Sequence, residues 1–342
     1  MKYGVVIVSW NGDSHLRECL SSVLAQEMAP TTVVVVDNAS DDRSLDIVSS
    51  FEKPLAAAGA ALCEIRERHN TGFTQAANRG LNALLTAGLV DFTLLLNQDA
   101  TLDSGFAVAA TRAFQQDERT GVLGAKIFLP NGFTVQHAGG FIERPRMIGR
   151  HYGHHQPDLT PEVHDQREVE YVTAAAMAIR VAALRDVGVF DEIFSPGYYE
   201  DVDLCDRMHQ RSWKVVYLPT LVATHAESIS FGKRDDLRGL AHRNRLFYAL
   251  PNLVDPETRE SFDRAERAYL RSHPPFDDQR AMGLAYLSAL LGLREAMLAR
   301  VRPEARTAEL ATALIDLFGE LRRDLIDKGH HRRLPLRVAR TG

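Results

Sequence analysis

The 342-residue sequence has three cysteines and no long hydrophobic run. Cys19, Cys63 and Cys205 are far apart and odd in number, which argues against a disulfide framework and against a cysteine metal site. No uninterrupted apolar run approaches the ~20 residues that a membrane-spanning helix needs. The start at Met1 leads directly into a strand pattern, without a signal peptide. We therefore expect a globular protein that stays in the cytoplasm.

Two phosphate-binding signatures are also missing. No Gly-x-Gly-x-x-Gly follows the first predicted strand and no Walker lysine loop occurs, which disfavours a dinucleotide dehydrogenase and a P-loop enzyme. The 40 basic residues do not outnumber the 45 acidic ones, and the formal net charge is -5. This balance gives no support for a nucleic-acid partner. The hydrophobic share of 45% is enough for a large core with an appendage.

Buried strands alternate with amphipathic helices in the first hundred residues. Residues 4–9, 32–36 and 92–96 are apolar runs that are typical of parallel strands covered on both faces. Apolar stripes at residues 15–26 and 73–85 predict the helices between them. The alternation predicts an α/β fold, with a Rossmann-like and mostly parallel central sheet flanked by helices.

Beyond residue 100 the pattern changes to short strands and turns. Residues 144–166 are rich in His, Pro and Gly and predict a mobile loop. Residues 201–211 predict a helix with an acidic first turn, and residues 213–219 predict a strand. The chain is mostly helical from about residue 234 and ends in a basic tail. We divide it into a domain of residues 1–233, with halves 1–100 and 101–233, and a helical extension of residues 234–342.

Acidic side chains follow two of the predicted strands. Asp37 and Asp99 each come after a buried strand, where open α/β sheets bind their ligands. Asp37 is a candidate acceptor of hydrogen bonds from a nucleobase or ribose, although an ordinary Asp-Asn turn explains it equally well. Asp99 is a candidate ligand of a hard cation, which commonly takes one or two protein carboxylates and fills its shell with phosphate oxygens and water. A polar turn at the strand end is the competing explanation for Asp99.

Glu200 and Asp201 come after a Pro-Gly pair and two tyrosines, at the start of a predicted helix. A loop of this composition can present carboxylates to a cleft and place aromatic surface beside a sugar ring. A plain helix cap explains Asp201 or Asp203 alone. Together with Asp99, these acids suit transfer of a group from a nucleoside diphosphate. A cation would neutralise the leaving phosphates and a base would activate the acceptor.

Histidines and arginines supply weaker candidates. His225 follows a strand-like run and could bind the same metal, although a lone histidine at a strand end is usually structural. His151, His154 and His155 look like a ligand cluster, but the predicted loop offers no framework to fix their geometry. Arg243 and Arg245, on either side of Asn244, suit bidentate contact with a diphosphate, although exposed arginines are more often solvated.

With these residues in place, the chain resembles family 2 glycosyltransferases of the GT-A fold, and above all their rhamnosyltransferase branch. The resemblance covers roughly residues 3 to 250, and the ordered series of motifs is more specific than any one of them. The nucleotide-side motifs are Val36-Asp37-Asn38-Ala39-Ser40-Asp41, Asn70-Thr71-Gly72-Phe73 with Ala77-Asn78-Arg79-Gly80, and Leu96-Asn97-Gln98-Asp99-Ala100. The acceptor-side motifs are Val187 to Glu192, Glu200 to Leu204, Trp213 to Pro219 with His225, and Arg243-Asn244-Arg245-Leu246.

The resemblance implies an inverting, metal-dependent transfer of a sugar, with rhamnose as one candidate, from a nucleoside-diphosphate sugar. The acceptor would be a hydroxyl of a glycan or lipid-linked glycan in cell-surface polysaccharide synthesis. Asp201 would be the base, with Glu200 and Asp203 orienting the acceptor or the base, and Asp99 and His225 would bind Mg²⁺ or Mn²⁺. The donor nucleotide would be held by Ser9, Asn11, Asp37, Asn70, Gly72, Asn78, Asn97 and Arg243.

The sequence departs from the family pattern at three places. Ala174 stands where a glycine is common, and Ser212 replaces the usual glycine before Trp213. Residues 226–228 replace a run rich in His and Gly, so the family pattern supports Asp99 as a metal ligand more strongly than His225.

Two other functions stay open at this point. A sugar-nucleotide nucleotidyltransferase would also combine a nucleotide-binding sheet with a divalent metal, but no glycine- and lysine-rich triphosphate loop occurs near the N-terminus. A non-catalytic sugar-binding protein would explain the aromatic residues near Tyr198, but not an acid at each of Asp37, Asp99 and Asp201.

The C-terminal extension allows several partners. Its helices could cover the acceptor site, associate with a second copy of the chain, or contact the inner face of the plasma membrane beside a lipid-linked acceptor. The basic tail fits the membrane contact, but a solvated terminus is the simpler explanation. The tail residues concerned are Arg332, Arg333, Arg337 and Arg340.

Overall fold

The computed structural model describes residues 1–226 and 234–329. The chain divides into two units, Met1–Glu143 with Ile148–Ser230 and Arg144–Met147 with Phe231–Gly342. The predicted domain boundary after residue 233 adjoins residues outside the described part and stays a prediction. The replaced run at residues 227 and 228 and the arginines of the basic tail also lie outside the described residues.

The first unit contains a central sheet and its flanking helices. Its strands are β1 Tyr3–Ser9, β2 Thr32–Asp37, β3 Ala61–Arg66, β4 Phe92–Asn97, β5 Ala100–Leu102, β6 Thr120–Phe128, β7 Val135–His137, β8 Gly140–Glu143, β9 Ile148–His151, β10 Arg167–Glu168, β11 Ala176–Arg180 and β12 Lys214–His225. Its α-helices are α1 Leu16–Leu24, α2 Ser44–Ser50, α3 Glu52–Ala57, α4 Phe73–Ala87, α5 Phe106–Gln116, α6 Val181–Val187 and α7 Glu200–Gln210, with short 3-10 helices at Pro161–Val163 and Glu192–Phe194.

The main sheet has the strand order β10-β12-β6-β11-β4-β1-β2-β3. Strands β4, β1, β2 and β3 are parallel, and β11 is antiparallel to both β4 and β6. Every residue of β1 is buried, as expected for a parallel strand that is covered on both faces. The predicted α/β architecture with a mostly parallel central sheet is confirmed.

Strand register brings the predicted polar side chains to one edge of this sheet. Ser9 is paired with Asp37 in the β1–β2 ladder, and the neighbouring Val8 is paired with Asn97 in the β1–β4 ladder. On the other side of the turn that follows β4, the antiparallel pairing of β5 with β12 sets His225 opposite Ala100. Because these strands end at the same edge, residues far apart in the sequence become neighbours.

Two local expectations differ from the structure. Residues 144–166, predicted as a loop, contain strand β9 and the 3-10 helix at Pro161–Val163. Strand β9 forms because it pairs with β8, and Tyr171 donates its hydroxyl hydrogen to the carbonyl of Arg150 over 3.1 Å. The apolar runs on either side of Pro219 form the single strand β12, with a register shift between Leu218 and Val222. Proline has no N–H to donate to a ladder, which explains an irregularity at this point.

The described part of the second unit is mainly helical. Its helices are α8 Arg234–Ala249, α9 Pro256–Arg271, α10 Phe276–Leu291, α11 Leu293–Arg300 and α12 Ala308–Gly329, with 3-10 helices at Asn252–Val254 and Pro303–Ala305. Among the described helices no single one is long and apolar enough to cross a membrane. Helices α10 and α11 together have the length and composition of a membrane span, but a bend of 73° separates them.

A buried carboxylate organises the second unit. Glu266 is fully buried and accepts hydrogen bonds from both terminal nitrogens of Arg245, at 2.9 and 3.0 Å, and from the Tyr286 hydroxyl. Arg146, from the four-residue segment Arg144–Met147, donates to the same carboxylate over 2.7 Å. Burial alone would raise the pKa of Glu266, but the two arginines outweigh it and lower this pKa to about 2.

Candidate active site

A network of amide side chains shapes the site where β1 and β2 end. The Asn38 amide donates to Asn70 Oδ1 over 2.9 Å, and Asn38 Oδ1 accepts a hydrogen bond from the Thr71 N–H over 2.8 Å. Asn70 Oδ1 also accepts from the Gly72 N–H over 2.8 Å. Asp37, the residue before Asn38, is buried and accepts from the backbone N–H of Ser40. The structure therefore brings Asp37, Asn70 and Gly72 together, although sequence analysis did not single out Asn38.

Gly72 permits a close approach between two loops. Its φ angle is +82°, and a Cβ atom on it would lie 2.4 Å from Cβ and 2.5 Å from Cα of Pro196. The Thr74 N–H donates to the Pro196 carbonyl over 3.3 Å. Because the Pro196 backbone occupies the space of a side chain, only glycine lets the loop at residues 70–72 lie on the loop before α7.

Three other residues predicted to bind the nucleotide make contacts within the protein or lie in the second unit. Asn11 braces its own loop, since its Oδ1 accepts from the Asp41 N–H over 2.9 Å. The Asn78 amide is engaged with the backbone of Phe190, accepting from its N–H over 3.0 Å and donating to its carbonyl over 2.9 Å. Arg243 lies on α8 in the second unit.

Gln98 connects the first loop to the end of β4. Its Oε1 accepts from the Trp10 N–H over 2.9 Å, and its Nε2 donates to the Trp10 carbonyl over 3.0 Å. Gln98 was not among the site residues predicted from the sequence. Its position between Asn97 and Asp99 was the only available signal, because the contact spans 88 residues.

Asp99 and His225 form the candidate metal site. His225 Nε2 lies 3.2 Å from Asp99 Oδ1 and 3.3 Å from Asn97 Nδ2, and the Ala226 N–H donates to the Asp99 carbonyl over 3.0 Å. Neighbouring ligands around an octahedral ion with bonds of 2.0–2.1 Å are about 3 Å apart, so this pair fits Mg²⁺ or Mn²⁺. Among residues 1–226 and 234–329 no group of three or more His, Cys, Asp or Glu could hold a metal. The remaining ligands would therefore have to come from substrate and water.

Two tyrosines in an unusual conformation lead into α7. Tyr198 and Tyr199 have φ angles of 75° and 70°, a region that bulky residues rarely adopt and that costs about 1–3 kcal/mol for each residue. The Tyr199 hydroxyl accepts a hydrogen bond from the Gly149 N–H over 3.1 Å. Such strain clusters at functional sites, and here it precedes Glu200 and Asp201.

Asp201 is attached to the same sheet edge through the segment before β11. Its Oδ2 accepts from the Ala174 N–H over 3.2 Å, and its Oδ1 accepts from the Val202 N–H over 2.8 Å. The next residue, Ala175, accepts a hydrogen bond from the Asn97 N–H over 3.0 Å. The acid of α7 and the end of β4 thus contact adjacent residues of one segment.

Burial changes the proton affinities of the two neighbouring acids. It raises the pKa of Asp201, an effect that the N–H donors of Val202 and Ala174 partly oppose. Burial raises the pKa of Glu200 well above its usual value, and the negative charge of Asp201 adds to this.

Asp203 is placed differently from Asp201. Its carboxylate is fully buried and accepts from Arg207 Nε over 2.8 Å. Arg207 also donates to the carbonyls of Val187 and Val189, over 2.7 and 2.8 Å. Two residues along an α-helix are separated by about 200° around its axis, so Asp203 and Asp201 lie on opposite sides of α7. Asp203 therefore joins α7 to the segment that follows α6.

Buried oxygens without a partner mark the site. Within the described residues, Ser9 Oγ, Asp37 Oδ1, Asn97 Oδ1 and Glu200 Oε2 are all buried and make no hydrogen bond inside the protein. Leaving such an atom unsatisfied costs about 1–3 kcal/mol. The first three belong to adjacent parallel strands about 5 Å apart, and the fourth begins α7. A polar ligand bound along this edge would satisfy them.

Comparison with known proteins identifies the family of this chain. The family described as glycosyltransferase like family 2 matches residues 2–243. An N-acetylglucosaminyl-diphospho-decaprenol L-rhamnosyltransferase of Mycobacterium tuberculosis is 28% identical over 268 residues, which cover 71% of this chain and 82% of the relative. A pre-mycofactocin glycosyltransferase of the same organism is 29% identical, covering 65% of this chain and 42% of the relative.

Solved structures share the fold. The structure of GalNAc-T7 with UDP, GalNAc and Mn²⁺ superposes with a TM-score of 0.59 at 16% identity, covering 78% of this chain and 51% of that chain. The mannosyltransferase PcManGT from Pyrobaculum calidifontis, in complex with GDP-Man and Mn²⁺, superposes with a TM-score of 0.51 at 18% identity, covering 96% and 88%. These superpositions establish a GT-A fold, as predicted. Since the family match spans more than half of the sequence, the chain belongs to family 2 of the glycosyltransferases and is a rhamnosyltransferase-like member of it.

Proposed function

We propose that this glycosyltransferase inverts the configuration of the transferred sugar, depends on a divalent metal, and uses a lipid-linked glycan as its acceptor. The observation that carries the proposal is the convergence on one sheet edge of the Asp99–His225 pair, the Asp201 carboxylate and the four unsatisfied oxygens. The rhamnosyltransferase from M. tuberculosis supports rhamnose as the sugar and a polyprenyl-diphosphate-linked acceptor.

The donor would lie along the ends of β2, β1 and β4. Asp37 Oδ1 and Ser9 Oγ are unsatisfied oxygens on paired residues, suited to hydroxyl or N–H groups of a nucleoside. Asn97 Oδ1 is the corresponding oxygen on β4, one strand away. This order supports a nucleoside at β1 and β2 and a diphosphate near β4, next to Asp99 and His225.

A divalent cation held by Asp99 and His225 would neutralise the charge that develops on the leaving diphosphate. Protein ligands alone do not complete its coordination, so we expect the metal to bind much more tightly when the nucleotide is present. Mg²⁺ and Mn²⁺ both suit the carboxylate. The imidazole makes Mn²⁺ the better match.

Asp201 is the proposed base. It takes the proton of the acceptor hydroxyl while that oxygen forms a bond to the anomeric carbon. The bond from the anomeric carbon to the phosphate oxygen breaks, and the nucleoside diphosphate leaves with the electron pair on the opposite face. Burial and the charge of Asp201 raise the pKa of Glu200 well above its usual value, and in its protonated form Glu200 could donate a hydrogen bond to the acceptor. The role of Asp203 is to hold α7 in place through Arg207.

One assay separates this proposal from its rivals. The full-length protein is incubated with UDP-, dTDP- and GDP-sugars, with Mg²⁺, Mn²⁺ or EDTA, and with or without a polyprenyl-diphosphate-linked N-acetylglucosamine acceptor. We expect free nucleoside diphosphate and an elongated acceptor in one donor series, and neither product with EDTA. In a parallel incubation with a nucleoside triphosphate and a sugar 1-phosphate, release of pyrophosphate would identify a nucleotidyltransferase. Binding without product would indicate a non-catalytic protein.

An acceptor of this kind lies in a bilayer, so we infer that the enzyme acts at the cytoplasmic face of the plasma membrane. Co-sedimentation with anionic vesicles that contain the acceptor lipid tests this position. Recovery of the protein in the supernatant at all lipid concentrations would contradict it. Self-association through the C-terminal helices stays a prediction.

A further inference from the structure

Gln136 lies behind the candidate metal site. It is the middle residue of β7 and is 6% exposed, and its side-chain Oε1 lies 3.0 Å from His225 Nδ1. Strand β7 is fixed by antiparallel pairing with β6, where Ile127 is opposite His137 and Phe128 is opposite Val135. A buried glutamine on a paired strand thus places its acceptor oxygen beside Nδ1 of His225, whereas the other ring nitrogen, Nε2, lies beside Asp99.

This contact selects one tautomer of His225. A carbonyl oxygen only accepts hydrogen bonds, so Nδ1 carries the proton, and in the neutral ring Nε2 then carries the lone pair. The Nε2 atom lies 3.3 Å from Asn97 Nδ2, a donor, and 3.2 Å from Asp99 Oδ1, an acceptor, so Gln136 and Asn97 favour a lone pair on Nε2 in the metal-free protein and Asp99 opposes it. The ring therefore presents its basic nitrogen beside Asp99 Oδ1, where a cation would bind.

The backbone of Gln136 is held as firmly as its side chain. Its carbonyl oxygen lies 3.0 Å from His154 Nδ1 and 3.3 Å from His151 Nδ1. These histidines looked like a ligand cluster in the sequence, but in the structure they contact this carbonyl. The neighbouring His137 Nε2 accepts from the Thr173 N–H over 3.3 Å, directly before the Ala174 N–H that donates to Asp201.

We propose that Gln136 is the positioning residue of the metal site and acts by fixing His225 as the Nδ1–H tautomer. The inference rests on the proposed metal-dependent function, and it assigns a role to a residue that does not touch the ion. Loss of such an outer partner typically weakens metal binding 10- to 100-fold. The acceptor oxygen is the property that matters, so glutamate should replace Gln136 and methionine, which has a similar length, should not.

The test uses the full-length protein and two readouts. Long-range ¹⁵N–¹H NMR spectra of the metal-free protein report the tautomer, and the His225→Gln variant identifies the His225 signal. We expect the Nδ1–H form in the wild type and in Gln136→Glu, and a mixture in Gln136→Met. Titration with Mn²⁺ alone, followed by the EPR signal of the free ion, should show binding about 10- to 100-fold weaker in Gln136→Met and retained in Gln136→Glu.

A matched control separates positioning from general damage to the core. Gln26 is a second buried glutamine of the first unit, where its amide donates to the Asp103 carbonyl over 2.8 Å and accepts from the Ala107 N–H over 3.0 Å. Gln26→Met should lower thermal stability and leave both the tautomer and Mn²⁺ binding unchanged.

Three results would overturn the role proposed for Gln136, and a fourth would refute the metal-dependent function. An Nε2–H tautomer in the wild-type spectrum, which needs no variant, overturns the proposal. Mn²⁺ affinity in Gln136→Met within twofold of wild type, or a loss of equal size in Gln26→Met, overturns it as well. Glycosyl transfer by the wild type that EDTA does not reduce would instead refute the metal-dependent function, whatever the tautomer of His225.

Discussion

Replacement of Asp201 by asparagine tests the proposed base most directly. The substitution keeps the size of the side chain, and the new amide oxygen can still accept from one of the two N–H donors at Val202 and Ala174. General base catalysis typically contributes 10²- to 10⁴-fold in rate. At 1.36 kcal/mol per factor of ten, this corresponds to about 2.7–5.5 kcal/mol of transition-state stabilisation. We expect kcat to fall by that factor.

Donor affinity should change little in the same variant. The residues proposed to hold the nucleotide lie on β1, β2 and β4, and Asp201 reaches this edge only through residues 174 and 175. Calorimetric titration with the nucleoside diphosphate and Mn²⁺ should therefore give a dissociation constant within about threefold of wild type, a difference under 1 kcal/mol.

The pH profile provides a second signature. A base must be deprotonated to act, so kcat/KM rises with pH through the pKa of the free enzyme's base. Because burial raises the pKa of Asp201, the rising limb should have its midpoint above the usual ~3.9 of an aspartate. Asp201→Asn should lack this limb.

The assay follows nucleoside diphosphate release in the presence of the lipid-linked acceptor. Asp206→Asn is the control, because it makes the same chemical change on the same helix, where Gln210 Nε2 donates to Asp206 over 3.0 Å. A folded Asp201→Asn enzyme that keeps more than one tenth of wild-type turnover would refute the assignment. So would an equal loss in Asp206→Asn.

Three further substitutions test stability. Burial raises the pKa of Glu200 well above its usual value, so the contribution of Glu200 to the free energy of unfolding falls as pH rises above the unfolded pKa. Glu200→Gln should therefore raise the melting temperature more at pH 8 than at pH 5. Equal gains at the two pH values would contradict this. The pKa of Glu266 is lowered from 4.5 to about 2, so this carboxylate contributes about 3 kcal/mol to the free energy of unfolding above the unfolded pKa. That contribution is lost as pH falls toward 2. Urea unfolding of Glu266→Gln should show at least that loss at pH 7, and a loss below 1 kcal/mol would be inconsistent. Asn78→Ala removes two hydrogen bonds to Phe190 and should lower the free energy of unfolding by about 2 kcal/mol, whereas unchanged urea stability together with a large loss of donor affinity would favour a direct nucleotide contact.

Most of the fold was predictable because its signals are local. The apolar runs at residues 4–9, 32–36 and 92–96 became β1, β2 and β4, with ends within one residue of the predicted ones. Their register, which sets Ser9 opposite Asp37, follows from parallel packing of strands that end at one edge. Strand β9 escaped prediction because it depends on pairing with β8 and on Tyr171, and neither contact is visible in its own sequence.

The site was predictable in residue type but only partly in arrangement. Asp201 and Asp203 have the same chemistry in one helical turn; the i,i+4 spacing of Asp203 and Arg207 indicates their ion pair locally, but the contacts of Arg207 with the Val187 and Val189 carbonyls depend on packing. Gln98 and Gln136 contact residues 88 and 89 positions away, so no pattern near either glutamine indicates its partner. Sequence identifies groups that can react, whereas their supports depend on long-range packing.

The turn that carries Arg146 has a practical consequence for protein fragments. A polypeptide of residues 234–342 would contain Glu266 and Arg245, but it would lack the guanidinium that residue 146 supplies from far upstream. Arg245 alone would then have to neutralise the Glu266 carboxylate, which contacts two guanidinium groups in the full chain. Such a fragment should express poorly or melt early, and adding a synthetic peptide spanning residues 140–151 should partly restore its folding.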